Sequence, residues 1–109
     1  MTMAPAPARA QEVTVHLDDR LLADGLADVR WLLLGTLHAG AGSLVVDVSG
    51  VQRLPDAVVA VLLWAHRICR ARGGGVVLRG ADRRTEELLH RTGLWRVLEL
   101  ESGGVRRAA

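Results

Sequence analysis

The chain has 109 residues, half of them hydrophobic and 24% charged, which suits one domain with a single core and excludes a multidomain enzyme. A chain of this length buries roughly 65% of the surface its unfolded form exposes, enough for a small α/β layer fold without disulfide staples. All fourteen basic residues are Arg and the formal net charge is only +2, so the high pI reflects missing Lys and Tyr rather than a phosphate-binding surface.

Met1 to Gln11 carries Pro5 and Pro7 among alanines with a single Arg9. It lacks the apolar stretch of a secretory signal and is expected to be a disordered leader over 1–11. Val13, Val15 and Leu17 then alternate with Thr14 and His16, the period of a strand with one buried face. Asp18-Asp19 is expected to turn that strand and Leu21-Leu22 to form a short returning one. Leu26, Val29, Leu33 and Leu37 repeat at helical spacing, with Asp24 available as N-cap and an end near His38. Gly40 and Gly42 close this helix. Leu44 to Val48 is apolar and β-branched enough to predict a fully buried central strand.

Pro55 and Asp56 end the following link and predict a helix from 57 to about 72, with Asp56 as its cap. Gly73-Gly74 stops it. Val76 to Leu78 predicts a further strand, Asp82 caps a helix bearing Leu88 and Leu89, and Gly93 ends that helix. Trp95 to Leu100 is the last expected strand, and 102–109 reads as a flexible tail. Strands alternating with helices over 12–101 predict a single α/β domain whose sheet is mixed but mostly parallel.

Few residues offer chemistry. His66 and Cys69 lie three apart on one helix, but no second pair at ligand spacing accompanies them, and Cys69 shares its face with Val58, Val61, Leu62 and Ala65. That makes it a core thiol and predicts no metal site. One cysteine also excludes an intrachain disulfide and fits a reducing cytoplasm. His16, His38 and His90 read as strand and helix-end residues. Ser43, Ser49 and Ser102 lie in no nucleophile elbow, so no catalytic residue is nominated. The glycine pairs at 40–42 and 73–75 precede strands rather than helix starts, unlike phosphate-binding loops. Trp31, Trp64 and Trp95 are far apart in sequence and the Arg residues are dispersed, which argues against nucleic acid. The longest apolar run, Ala57 to Ala65, has nine residues, too few to span a membrane.

The helix at 57–72 is the most informative segment. At about 100° per residue, Val58, Val61, Leu62, Ala65, Ile68 and Cys69 gather on one side, while His66, Arg67 and Arg70 mark the wet side. Val59 and Leu63 then fall beside those charges, with Trp64 near them. An apolar patch rimmed by Arg is expected to be a partner surface.

Val45-Val46-Asp47-Val48-Ser49-Gly50-Val51, Ala60-Val61-Leu62-Leu63, and Arg91-Thr92-Gly93-Leu94 with Val97-Leu98 resemble the STAS-domain family, whose best-known members are bacterial anti-sigma factor antagonists. The resemblance runs without gaps over about 13–100. It implies a sheet of about four to five strands flanked by helices, no catalysis, no cofactor, and a working surface at the start of the helix after the D-x-S-G strand. In regulated members a serine there accepts phosphate from a partner kinase, and the added negative charge breaks an interface. Here those positions read Pro55-Asp56-Ala57-Val58. The acceptor position is Ala57, which has no hydroxyl, so the usual switch is expected to be absent.

The expected partner surface is therefore Asp56, Ala57, Val59, Ala60 and Leu63, with Arg67 at its rim. Asp56 is either a plain cap or a fixed-charge substitute for phosphate. The family often has T-G-E-L-D in the first hairpin, where this chain has Asp18-Asp19-Arg20-Leu21-Leu22, so kinase contacts do not carry over there. The resemblance implies an anti-sigma factor or histidine-kinase-like ATPase as partner, in the cytoplasm. The alternatives are a STAS subunit docked on the ATPase of an ABC-type lipid transporter, and a small nucleotide-binding module. Homodimer formation is compatible with all of them.

Overall fold

Asp18 decides how the chain leaves its first strand. Its carboxylate accepts the Leu21 N–H at 2.8 Å, capping a short helix α1 (Asp19–Ala23) directly after β1 (Glu12–Asp18). The expected returning strand at Leu21-Leu22 is thus a helix, because an Asp followed by three helix-compatible residues completes an N-cap more readily than a hairpin. Helix α2 (Leu26–His38) keeps the expected bounds, but its N-cap is Gly25 at φ +104 rather than Asp24, which closes α1. The order continues with β2 (Ser43–Gly50), α3 (Asp56–Ala71), β3 (Val76–Arg79), α4 (Arg83–Thr92), β4 (Glu99–Ser102) and β5 (Val105–Arg107).

The computed structural model describes residues 11–93, 99–102 and 105–107, with side chains described for 11–93. The expected leader falls almost wholly outside this set, as do positions 95–98 of the last expected strand. That strand is described from Glu99 and runs to Ser102. Beyond it β5 pairs antiparallel with β4, so the sheet extends into the stretch read as a tail.

The strands form one sheet in the order β1-β2-β3-β4-β5, with the first four parallel. The prediction of a mixed, mostly parallel sheet holds. Each parallel step moves the same way across the sheet, and right-handed crossovers then place α2, α3 and α4 side by side on one face. The core agrees: Val15, Leu17, Leu44, Val46, Val48, Val76 and Leu78 from the strands join Val29, Leu33, Leu62, Ala65, Cys69 and Leu89 from the three helices. Val45 and Val77 are buried too, at 0% and 3% exposure. They stand in register with Thr14, on the sheet face opposite the helices. The central strands are thus buried on both sides, as their apolar runs predict.

Two ends are tied down by specific contacts. Arg72 donates from Nη1 to the carbonyls of Leu37 at 2.8 Å and Ala41 at 2.7 Å, binding the C-terminal ends of α2 and α3 together. Beneath it the backbone passes so closely that a Cβ on Gly74 would run into the Gly42 carbonyl. Asp82 caps α4 by accepting the Thr85 N–H at 2.8 Å, as expected. Gly93 ends that helix at φ +81, a left-handed turn that glycine adopts without a Cβ clash.

Candidate functional site

The site is built around the start of α3. Val51 and Leu54 of the preceding link are buried in the core, and the Gln52 N–H donates to the Asp19 carboxylate at 3.1 Å. The residue that opens α1 therefore holds the link that aims α3, across a separation of 33 positions. Pro55 is the N-cap and makes no side-chain cap bond, while its carbonyl accepts from the Val58 and Val59 N–H groups. Asp56 is thus the first helical residue, not the cap. Its carboxylate still sits favourably in the first turn, where the helix carries partial positive charge.

α3 is the middle of three helices, which corrects the expected surface. A middle helix meets the sheet below and a helix on each flank, so its buried arc is wider than a single stripe. Val61 lines the α2 side, and at about 100° per residue Val58 and Leu62 then face the sheet, which turns Val59 and Leu63 to the side away from α2. Val59 is accordingly 4% exposed and part of the core, and Leu63 is half-buried against that core. Val59 is not a surface residue. His66, placed on the wet side from sequence, is half-buried, and its Nδ1 accepts the Val76 N–H at 3.0 Å. Arg67 is exposed on the outward face, between the two flanks.

On the α2 flank an open groove of about 970 Å³ runs between the helices, and it takes in Ala57, Ala60, Val61 and Trp64 from α3 with Leu26, Trp31 and Leu34 from α2. Ala57, Ala60 and Trp64 recur at helical spacing, so the small side chains of Ala57 and Ala60 leave a channel that Trp64 closes at one end. Trp31 is 73% exposed and Trp64 38% exposed. Covering Trp31 alone would remove on the order of 150 Å² from water, about 3–4 kcal/mol before the costs of association. Of the apolar surface read from sequence, Ala57, Ala60 and Trp64 lie in this groove, whereas Val59 and Leu63 fall on the other side of α3. The available signal was α2 itself, whose Leu26, Ala27, Trp31, Leu32 and Leu34 extend apolar character all round a helix that has only one face to bury.

On the α4 flank a smaller hollow of about 490 Å³ adjoins the same helix start, and Asp56 lines it with Arg53, Leu54, Arg84, Leu88 and Arg91. The predicted residues therefore divide: Ala57 and Ala60 enter the groove, Asp56 the hollow, and Val59 neither.

Ser49, Asp47 and Thr92 have structural partners. Ser49 donates its hydroxyl to Asp47 Oδ1 at 2.6 Å and its N–H to the same atom at 2.9 Å. These bonds hold the Asp47 carboxyl below its usual range, helped by His16, whose Nδ1 is 3.6 Å from Oδ2. The Thr92 hydroxyl donates to the Leu88 carbonyl at 2.8 Å. Burial pushes the Cys69 thiol up, which suits a core residue and not a nucleophile. Among the described residues no three His, Cys, Asp or Glu side chains gather to hold a metal ion, and no helix is long and apolar enough to cross a membrane.

Comparison with known proteins places this geometry. Residues 6–101 match the family model described as "Mlab, STAS domain". Among solved structures, the "NMR Structure of the protein TM1081" superposes with a TM-score of 0.71 at 14% identity, covering 94% of this chain and 86% of that one, a likeness of fold. No curated protein matches the chain.

Proposed function

The chain belongs to the STAS-domain family, and on that premise we propose that it is a non-catalytic, cytoplasmic interaction domain whose protein partner docks on the start of α3 and along the α2–α3 groove. One observation carries this reading. Trp31, Leu34 and Trp64, three of the four large apolar side chains exposed among the described residues, line a single groove headed by Ala57. Apolar exposure concentrated this way marks contact surfaces. The partner is an anti-sigma factor or switch kinase of the histidine-kinase-like ATPase type, engaged without a serine switch because Ala57 occupies the acceptor position. Ser49 and Thr92, the nearest matched hydroxyls, already serve Asp47 and the Leu88 carbonyl. The Mlab description of the matched family favours a second reading, a STAS subunit docked on the ATPase of an ABC-type lipid transporter.

The test uses purified ATPases of both kinds. Ala60→Arg fills the groove at an exposed position and should weaken binding by about tenfold or more, roughly 1.4 kcal/mol, with Tm unchanged. Binding that ignores this substitution sinks the docking surface. Which ATPase binds decides between the two readings.

A further inference from the structure

The hollow on the α4 flank has a chemistry of its own. Arg84 and Arg91 lie seven residues apart on α4 with Leu88 between them, so the three form one stripe of that helix. Arg53 reaches the same hollow from the link before α3. Three guanidinium groups meet one carboxylate, that of Asp56, leaving two positive charges in excess at the lining.

Two other arginines are engaged by the fold: Arg72 holds two carbonyls, and Arg83 stands 3.9 Å from Glu87 on the exposed face of α4. The Arg53, Arg84 and Arg91 side chains are exposed and none is held in a close ion pair or side-chain hydrogen bond among the described residues, although the charge of Arg84 acts on the neighbouring Asp82 carboxylate. Gathering like charges without compensation raises the local potential and favours an anionic occupant. A guanidinium fork matches a carboxylate in two-point contact. Leu88, half-buried, and Leu54, buried at 5% exposure, give the hollow an apolar floor between those forks. No aromatic side chain lines it to stack a nucleobase.

We infer that this hollow receives an acidic segment of the docked partner, with carboxylates on Arg84 and Arg91 and an aliphatic side chain between them against Leu88. The inference rests on the docking reading and adds the partner's chemistry: an acidic strip beside the apolar ridge that fills the groove.

The test is an NMR titration of the full chain, labelled with ¹⁵N, against the capped pentapeptide EELEE, with KKLKK and inorganic phosphate as comparisons. Amides of Arg53, Arg84, Leu88 and Arg91 should shift saturably with EELEE and not with KKLKK. Arg84→Gln combined with Arg91→Gln should raise the apparent Kd about tenfold with Tm unchanged, and Arg53→Gln should act in the same direction. Shifts elsewhere on the surface, an unchanged Kd in the double variant, or equal shifts with phosphate at matched concentration would each overturn the acidic-segment inference. Trp31→Ala should leave the peptide titration intact. EELEE binding at the hollow with ATPase binding indifferent to Ala60→Arg therefore breaks the docking reading alone, whereas the reverse pattern breaks only this one.

Discussion

The two flanks of α3 differ in what their neighbouring helices can bury. On one side α2 is apolar around most of its circumference, buries Val29, Leu33 and Leu37, and leaves Trp31 and Leu34 facing water beside α3. On the other side α4 buries only Thr85 and Leu89 and turns charged residues outward. A helix with more apolar surface than its fold can cover creates a contact face, while a strongly amphipathic helix creates a charged one. The same helix start thus separates a greasy groove from a basic hollow, and a partner reading both would be chosen by shape and by charge.

The sharpest way to break the comparison is to remove what both flanks share. Leu62 is 0% exposed beneath the middle of α3, so Leu62→Ala should cost about 2–5 kcal/mol in urea denaturation, since a cavity there has no solvent-side route to collapse. A loss well under 1 kcal/mol would mean α3 does not sit between sheet and neighbours as described. Leu63→Asp separates the flanks directly. With Leu63 half-buried on the α4 side and packed on the core, a carboxylate there should cost on the order of 1–3 kcal/mol. Had Leu63 been the exposed partner contact that periodicity suggests, Tm would hardly move.

A smaller effect concerns how firmly the basic flank is held. Asp82→Ala removes the cap of α4 and should cost about 1 kcal/mol near neutral pH. The Thr85 N–H, then its hydroxyl, hold the Asp82 carboxyl below its ordinary value. The folded pKa is therefore the lower one, and this stabilisation is complete above the unfolded value of about 3.9 and disappears as pH falls through the folded one. Wild type and Asp82→Ala should accordingly converge in stability once the pH has fallen below the lowered Asp82 value; a gap that persists in that acid limit would show that the cap acts by packing instead.

The smallest effect is a control on the sheet face away from both flanks. Ser49→Ala should let the Asp47 carboxyl rise toward its ordinary value in an NMR titration while costing under about 1 kcal/mol. An unmoved Asp47 would assign its low value to His16 and Arg79, the weaker influences on it. Since Ser49 lines neither groove nor hollow, partner binding should be untouched.

Much of the fold was legible without coordinates. Alternation in β1, the apolar run of β2, the capping Asp82 and the terminating Gly93 are local signals, each decided by backbone chemistry within a few residues, and each appears where expected. The turn after β1 was misread because Asp18 serves a hairpin and a helix cap equally well in sequence. The candidate site was only half legible. Its position at the start of α3 followed from Pro55 and from the family resemblance, but the division of Asp56 from Ala57 and Ala60 onto opposite flanks did not.

Periodicity states which residues of a helix share a face. It does not state how many neighbours that face will meet. Four parallel strands in consecutive order placed α3 between two other helices, and that single fact of topology buried Val59, half-buried Leu63 and left Trp64 and Trp31 open. The amino-acid order determined the elements and the core strands, because those depend on near neighbours along the chain. Where the apolar and basic surfaces lie was decided only in three dimensions, because exposure is a property of packing between segments distant in sequence.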